Sequence, residues 1–80
     1  MTDQDHCREL ARAGLRAGVL PARSPELTWG GPGAGSSCAV CSVTIPREET
    51  ELEIEVAGNA LHFHVRCFAA WHVELICSAN

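Results

Sequence analysis

The stretch Cys38-Ala39-Val40-Cys41, followed after 22 intervening residues by His64-Val65-Arg66-Cys67, decides the fold of this chain. A CxxC pair with an HxxC pair at that distance is the spacing of one closed tetrahedral zinc site. Two sulfurs on a tight turn grip the ion from one side, and a histidine and cysteine at a strand-to-helix junction close it from the other. Four protein ligands, Cys38, Cys41, His64 and Cys67, leave no position for a substrate or an activated water. The reading is therefore one structural Zn2+ and no catalytic residues. Three thiolates and a neutral imidazole leave such a site with a net negative charge.

Size makes the metal necessary. A single domain of 80 residues has a hydrophobic core worth only roughly 3 to 5 kcal/mol. Zinc bound by finger peptides adds on the order of 10 to 16 kcal/mol that counts toward folding. The five cysteines are an odd number, and the acidic start Met1-Thr2-Asp3-Gln4-Asp5 has no apolar run behind it. A secreted disulfide scaffold is thus disfavoured. No apolar run approaches the roughly 20 residues that cross a bilayer. The expectation is a cytoplasmic protein, off the membrane, whose thiols bind metal. All six basic residues are arginine, and alanine and glycine abound, which reads as a GC-rich, bacterial coding bias.

Upstream of the CxxC, residues 1–20 read as a helix running from about Asp3 to Ala17. Thr2 is its N-cap, and Asp3 and Asp5 sit in the first turn, where the helix dipole favours negative charge. Cys7, Leu10, Ala11, Gly14, Leu15 and Val19 form a narrow apolar stripe, with Arg8, Arg12 and Arg16 on a neighbouring face. Gly14 and Gly18 either shorten this helix or let other atoms come close. Residues 21–37 hold Pro21, Pro25 and the run Trp29-Gly30-Gly31-Pro32-Gly33-Ala34-Gly35-Ser36-Ser37, a loop composition unable to sustain a helix or a central strand. Trp29 is expected to pack on the domain and hold the loop. Gly33 and Gly35 are expected to free the backbone just before the metal. Neither a P-loop lysine nor GxGxxG spacing is present, so the glycines read as turns.

Downstream, Ser42 to Ile45 is a short β-branched run ended by Pro46. Leu52, Ile54 and Val56 alternate with Glu51, Glu53 and Glu55, a half-buried strand with a solvated carboxylate face. Ala57-Gly58-Asn59-Ala60 makes a hairpin turn, and Leu61 and Phe63 continue the apolar face on a return strand. A two-stranded ribbon, about 51 to 57 and 60 to 64, follows. A helix from about 67 to 77 presents Phe68, Trp71, His72, Leu75, Ile76 and Ala79 on one side. His62 is either a support to the metal ligands or an exposed hairpin residue. His72 and Cys77 read as helix positions without chemistry, and Cys7 with His6 as stripe plus solvent.

Knuckle, hairpin, ligand and helix in that order make an α+β treble-clef zinc finger over residues 38–80. The segment Phe63-His64-Val65-Arg66-Cys67-Phe68 resembles the FHxxCF segment of LIM-type and PARP-type fingers, and the spacing between ligand pairs is close to the first half of a LIM domain. The resemblance covers residues 38 to about 70. A LIM domain carries a second ligand set directly afterwards, where Phe68-Ala69-Ala70-Trp71 supplies none. A PARP-type finger has one zinc but binds DNA ends through a basic surface, where this chain has Glu48, Glu49, Glu51, Glu53 and Glu55. The resemblance therefore implies a fold rather than DNA binding.

Other uses of the cysteines fit less well. A redox CxxC opens a helix, whereas Ser42-Val43-Thr44-Ile45 prefers extended backbone. A zinc deaminase needs HxE before PCxxC, and His72-Val73-Glu74 comes after it. Iron–sulfur or catalytic metal use fits the closed Cys3His set poorly.

Charge divides the chain. Residues 1–37 carry four arginines against four acids, while residues 38–80 carry only Arg47 and Arg66 against six glutamates. The expected function is an interaction module for another protein, its acidic ribbon drawing a basic partner. A homodimer through Leu10, Leu15 and Val19 is also expected, because a finger of about 40 residues completes its own core and leaves a marginal helix without a burial site. The alternative is a nucleic-acid or transcription-associated finger using Arg8, Arg12, Arg16 and Arg23, a small footprint in a chain of net charge −4. A third reading is a small-ligand binder or enzyme built on the loop from Trp29 to Ser37 with His62 or His72.

Overall fold

The computed structural model describes the backbone of residues 3–78 and the side chains of residues 5–77. Among these, two helices and one three-stranded antiparallel sheet form an α+β unit in the order α1 (Asp3–Arg16), β1 (Leu27–Pro32), β2 (Thr50–Val56), β3 (Asn59–His64) and α2 (Val65–Ser78). The cap expected at Thr2 and the apolar position expected at Ala79 lie outside the described residues.

The β2–β3 hairpin follows its alternation. Val56 pairs with Asn59, so the connection is the dipeptide Ala57-Gly58, both at positive φ (52° and 81°). That is the geometry of a type I′ turn, whose twist matches that of the strands. Ile54, Val56 and Phe63 point into the core, with Ile54 and Phe63 fully buried, as the alternation predicts. Phe63 stacks on Trp71 at 5.4 Å between ring centroids and meets Phe68 edge-on at 5.8 Å, so the ribbon is glued to α2 by aromatic rings.

The ribbon has a third strand. β1 pairs antiparallel with β2, Trp29 opposite Glu53 and Gly31 opposite Glu51, inside the segment expected to be loop. Its composition still tells: a strand containing Gly30, Gly31 and Pro32 is tolerated at a sheet edge, where one side needs no partner. The expected role of Trp29 is also corrected. Its side chain is half exposed, and the segment is held instead by main-chain pairing and by Trp71, whose indole N–H donates to the Pro21 carbonyl at 3.0 Å.

The N-terminal helix finds its seat within the chain. α1 packs on α2 through Cys7 and the fully buried Ala11, with Leu10 and Leu15 partly buried against the core. The premise for outward pairing, that this stripe has no burial site, therefore does not hold. Val19 lies past the helix end and is exposed. The helix stops where Gly18 takes φ of 76°, and the Leu20 side chain then folds back over Gly14.

This docking rearranges the expected faces of α2. Ile76 and His72 are exposed, whereas Glu74 is buried. Arg8 Nε donates to Glu74 Oε2 at 2.9 Å, and Arg12 Nε to Oε1 at 3.0 Å, so one carboxylate takes two guanidinium groups across the helix pair. The hydrogen bond from Arg12, opposed by burial and reinforced by the bond from Arg8, holds the Glu74 carboxyl below its ordinary value.

A carboxyl that titrates lower in the folded chain stabilises it above the ordinary glutamate value of about 4.3, and that contribution disappears as pH falls through the depressed folded value. Glu74→Gln is expected to lower the thermal midpoint at neutral pH. The difference between wild type and variant should shrink as pH falls from about pH 7, in circular-dichroism melts taken down to the lowest pH at which the metal stays bound.

Candidate metal centre

The CxxC lies on a tight turn closed by its own backbone. Ser37 and Thr44 form a single antiparallel bridge, all that remains of the strand preference of the run from Ser42 to Ile45. Inside the bridge, Cys38 N–H donates to Val43 C=O at 3.0 Å and Ser42 N–H to Cys38 C=O at 2.9 Å, with Ser42 in the left-handed region at φ 66°. The turn is fixed to the sheet because Ala39 N–H donates to His62 C=O at 2.8 Å. On its other flank, Gly35 N–H reaches Ile45 C=O at 3.2 Å and Ile45 N–H reaches Ser36 C=O at 2.8 Å. A Cβ on Gly33 would collide with the carbonyl oxygens of Pro46 and Ile45, so the expectation that this glycine frees the backbone ahead of the ligands is met by a close approach of two main chains.

The second pair straddles the β3–α2 junction. His64 is the last residue of β3, and Cys67 lies in the first turn of α2. Cys38, Cys41, His64 and Cys67 come together with all four donor atoms within 4.8 Å of one another. His64 Nδ1 stands 3.4 Å from Cys41 Sγ and 3.9 Å from Cys67 Sγ. Ligands about 2.3 Å (sulfur) and 2.0 to 2.1 Å (nitrogen) from a tetrahedral ion put sulfur and nitrogen about 3.6 Å apart, a spacing that the two distances from Nδ1 bracket. Cys38, His64 and Cys67 are buried and Cys41 is half buried.

The electrostatics favour the ligand form at one sulfur. The Cys38 thiol is pulled well down, first by a hydrogen bond from Cys67 and then, against burial, by the backbone amides of Cys41, His64 and Val40. Cys67 is pushed up by the same bond, in which it keeps its proton, and by burial. Cys41 is raised chiefly by burial. Amide N–H groups aimed at a sulfur stabilise thiolate, the state in which a cysteine binds metal.

The other singled-out residues scatter. Cys7 is buried with its Sγ 3.5 Å from Cys67 Sγ, much nearer the centre than a stripe position implies. Cys77 is exposed on α2, and His72 stacks on Phe68 at 5.9 Å. His62 supports the centre through its carbonyl, while its Nδ1 lies 2.8 Å from Glu51 Oε2. Glu51, expected on a solvated face, is 8% exposed: it sits across the ladder from His64, takes the His62 contact and receives Ala34 N–H at 3.4 Å. Glu51, Glu53 and His62 also bring their donor atoms within 4.8 Å of one another on the sheet face, with His62 Nδ1 2.8 Å from Glu51 Oε2 and 3.9 Å from Glu53 Oε1. Among the described residues, no helix is long and apolar enough to cross a membrane. No protein-family model matches the chain, and comparison with curated proteins and with solved structures finds no match.

Elemental analysis of the folded protein is expected to give one tightly bound metal ion per chain. Cys38→Ser should lose the ion and the cooperative melt together, because binding energy is folding energy. Cys77→Ser should keep both. Gly33→Ala should destabilise by on the order of 2 kcal/mol through the backbone clash, whereas Gly31→Ala, whose Cβ meets nothing within 4 Å, should stay within about 1 kcal/mol of wild type in denaturant melts.

Proposed function

We propose that this chain is a treble-clef zinc finger in which Cys38, Cys41, His64 and Cys67 hold one structural Zn2+, and that it works as a non-enzymatic interaction module for a protein partner. The metal assignment is supported by the donor set. Three sulfurs and one imidazole nitrogen at tetrahedral separation suit a borderline-soft ion, and four protein ligands leave no open coordination position.

One surface carries the interaction reading. β1 is an edge strand on which Leu27 and Trp29 are each about half exposed, with Glu53 and Glu55 opposite them on β2. A large aromatic on an open sheet edge, beside carboxylates, suits a partner segment that adds main-chain pairing and brings basic side chains. The covering of the α1 stripe by α2 moves the docking surface from the N-terminal helix to this edge.

The nucleic-acid reading loses its best residues, since Arg8 and Arg12 are both committed to Glu74. Two assays separate the readings. The zinc-loaded protein should capture a partner from source lysate that Trp29→Ala and Glu53→Lys fail to capture at unchanged metal content and melting temperature. Binding to mixed-sequence DNA should be weak. Partner capture indifferent to Trp29→Ala would remove β1 from the reading, and tight DNA binding with a steep salt slope would replace it with the nucleic-acid one.

A further inference from the structure

Cys7 is a nucleophilic side chain that the four-ligand set does not use. It is 4% exposed, it comes from an element 60 residues away in sequence, and its sulfur touches that of Cys67 at 3.5 Å. A surface pocket is lined by His6, Cys7, Cys41, Val43 and Arg66. A buried ligand thiol with a spare thiol against it, the latter belonging to a residue that lines a surface pocket, is the arrangement in which two sulfurs can be joined.

We propose that Cys7 and Cys67 form an oxidation site whose substrate is a small peroxide, and that joining them removes one ligand from the metal. The inference rests on the reading of Cys67 as a ligand. In the first step the Cys7 sulfur attacks one peroxide oxygen and the O–O bond breaks. The other oxygen leaves as hydroxide, takes up the thiol proton as water, and leaves Cys7 as a sulfenic acid. Arg66 lines the same pocket, with its guanidinium also donating to Glu49 Oε1 at 3.3 Å. In the second step the Cys67 thiolate attacks the sulfenic sulfur, the S–O bond and the bond from Cys67 to the metal break, and the departing hydroxide takes a proton from solvent to give a second water. One thiol and one metal-bound thiolate have lost two electrons between them and the thiol its proton, and with one further proton from solvent one hydrogen peroxide has become two waters.

The sulfurs must close from 3.5 Å to the disulfide length of about 2.05 Å, a movement that draws Cys67 toward α1. Cys38, Cys41 and His64 are left as an incomplete set. The metal is released with only one of its ligands oxidised, and a thiol reductant restores the full set.

The test uses the full chain carrying Cys77→Ser, which removes the exposed thiol and its intermolecular disulfides. Zinc-loaded protein is treated with hydrogen peroxide while a chromogenic chelator follows the metal, and a tryptic map is taken without reductant. Cleavage after Arg8, Arg23, Arg47 and Arg66 places Cys7, the Cys38/Cys41 pair and Cys67 in separate peptides. The expected result is a peptide linked through Cys7 and Cys67, with zinc release slowed on the order of tenfold when Cys7→Ala is added. A disulfide between Cys38 and Cys41 with no Cys7–Cys67 link, or unchanged release from the Cys7→Ala protein, would overturn the proposal. If Cys7→Ala fails to fold, the map of the parent protein decides alone. A protein without zinc before oxidation would defeat the metal reading, while the map would still report whether the two sulfurs join.

Discussion

Four side chains from a turn, a strand end and a helix start converge on one point, and most of the remaining structure exists to hold them there. The turn bearing Cys38 and Cys41 is bonded to β3 through Ala39 and His62. β3 delivers His64 from its last position, and α2 begins immediately after with Cys67 in its first turn. The same helix carries Trp71 onto Phe63. Ligation and core packing are thus two faces of one junction: α2 cannot leave the sheet without taking Cys67 from its companions. In a chain of 80 residues, a metal held at that junction would supply what a small core lacks.

The parts legible in the sequence were those written in a strong local code. The Cys-x-x-Cys and His-x-x-Cys pairs name their own geometry, and the alternation put Ile54 and Val56 inward, because a strand has two sides and only one was apolar; the burial of Glu51 on the carboxylate side was not legible. β1 was harder to see. Its β-prone beginning, Leu27-Thr28-Trp29, runs straight into Gly-Gly-Pro, and local propensity cannot register that a neighbouring strand is available to pair with it. Trp29 was accordingly given a burial it does not have, while the anchoring of the same segment fell to Trp71, far along the chain.

Glu74 and Cys7 have contacts that were not legible for a related reason. Each looks ordinary in its own helix: a carboxylate in an exposed-looking position and a small apolar residue in a stripe. Their significance arises only when the helices lie together, so that Arg8 and Arg12 converge on the carboxylate and the thiol arrives beside Cys67. The three arginines at four-residue spacing were the available signal. A cationic row beside an apolar stripe is also what a helix needs to cover a buried acid on its neighbour.

The docking of α1 on α2 also sets the order in which the molecule can be made. Arg8 and Glu74 are 66 positions apart, and the indole of Trp71 reaches back 50 positions to Pro21. As the chain leaves the ribosome, α1 emerges well before α2, the helix on which it packs. A helix of 14 residues is marginal in water on its own. The sheet can pair once β3 has emerged, yet its aromatic seat and last metal ligand arrive only with α2. Final assembly is thus a closure over long sequence separation, which slows folding compared with structures built from local contacts. The half-exposed edge strand stays available throughout that interval, and Pro32, which cannot donate to a further strand, limits what pairs with it before closure.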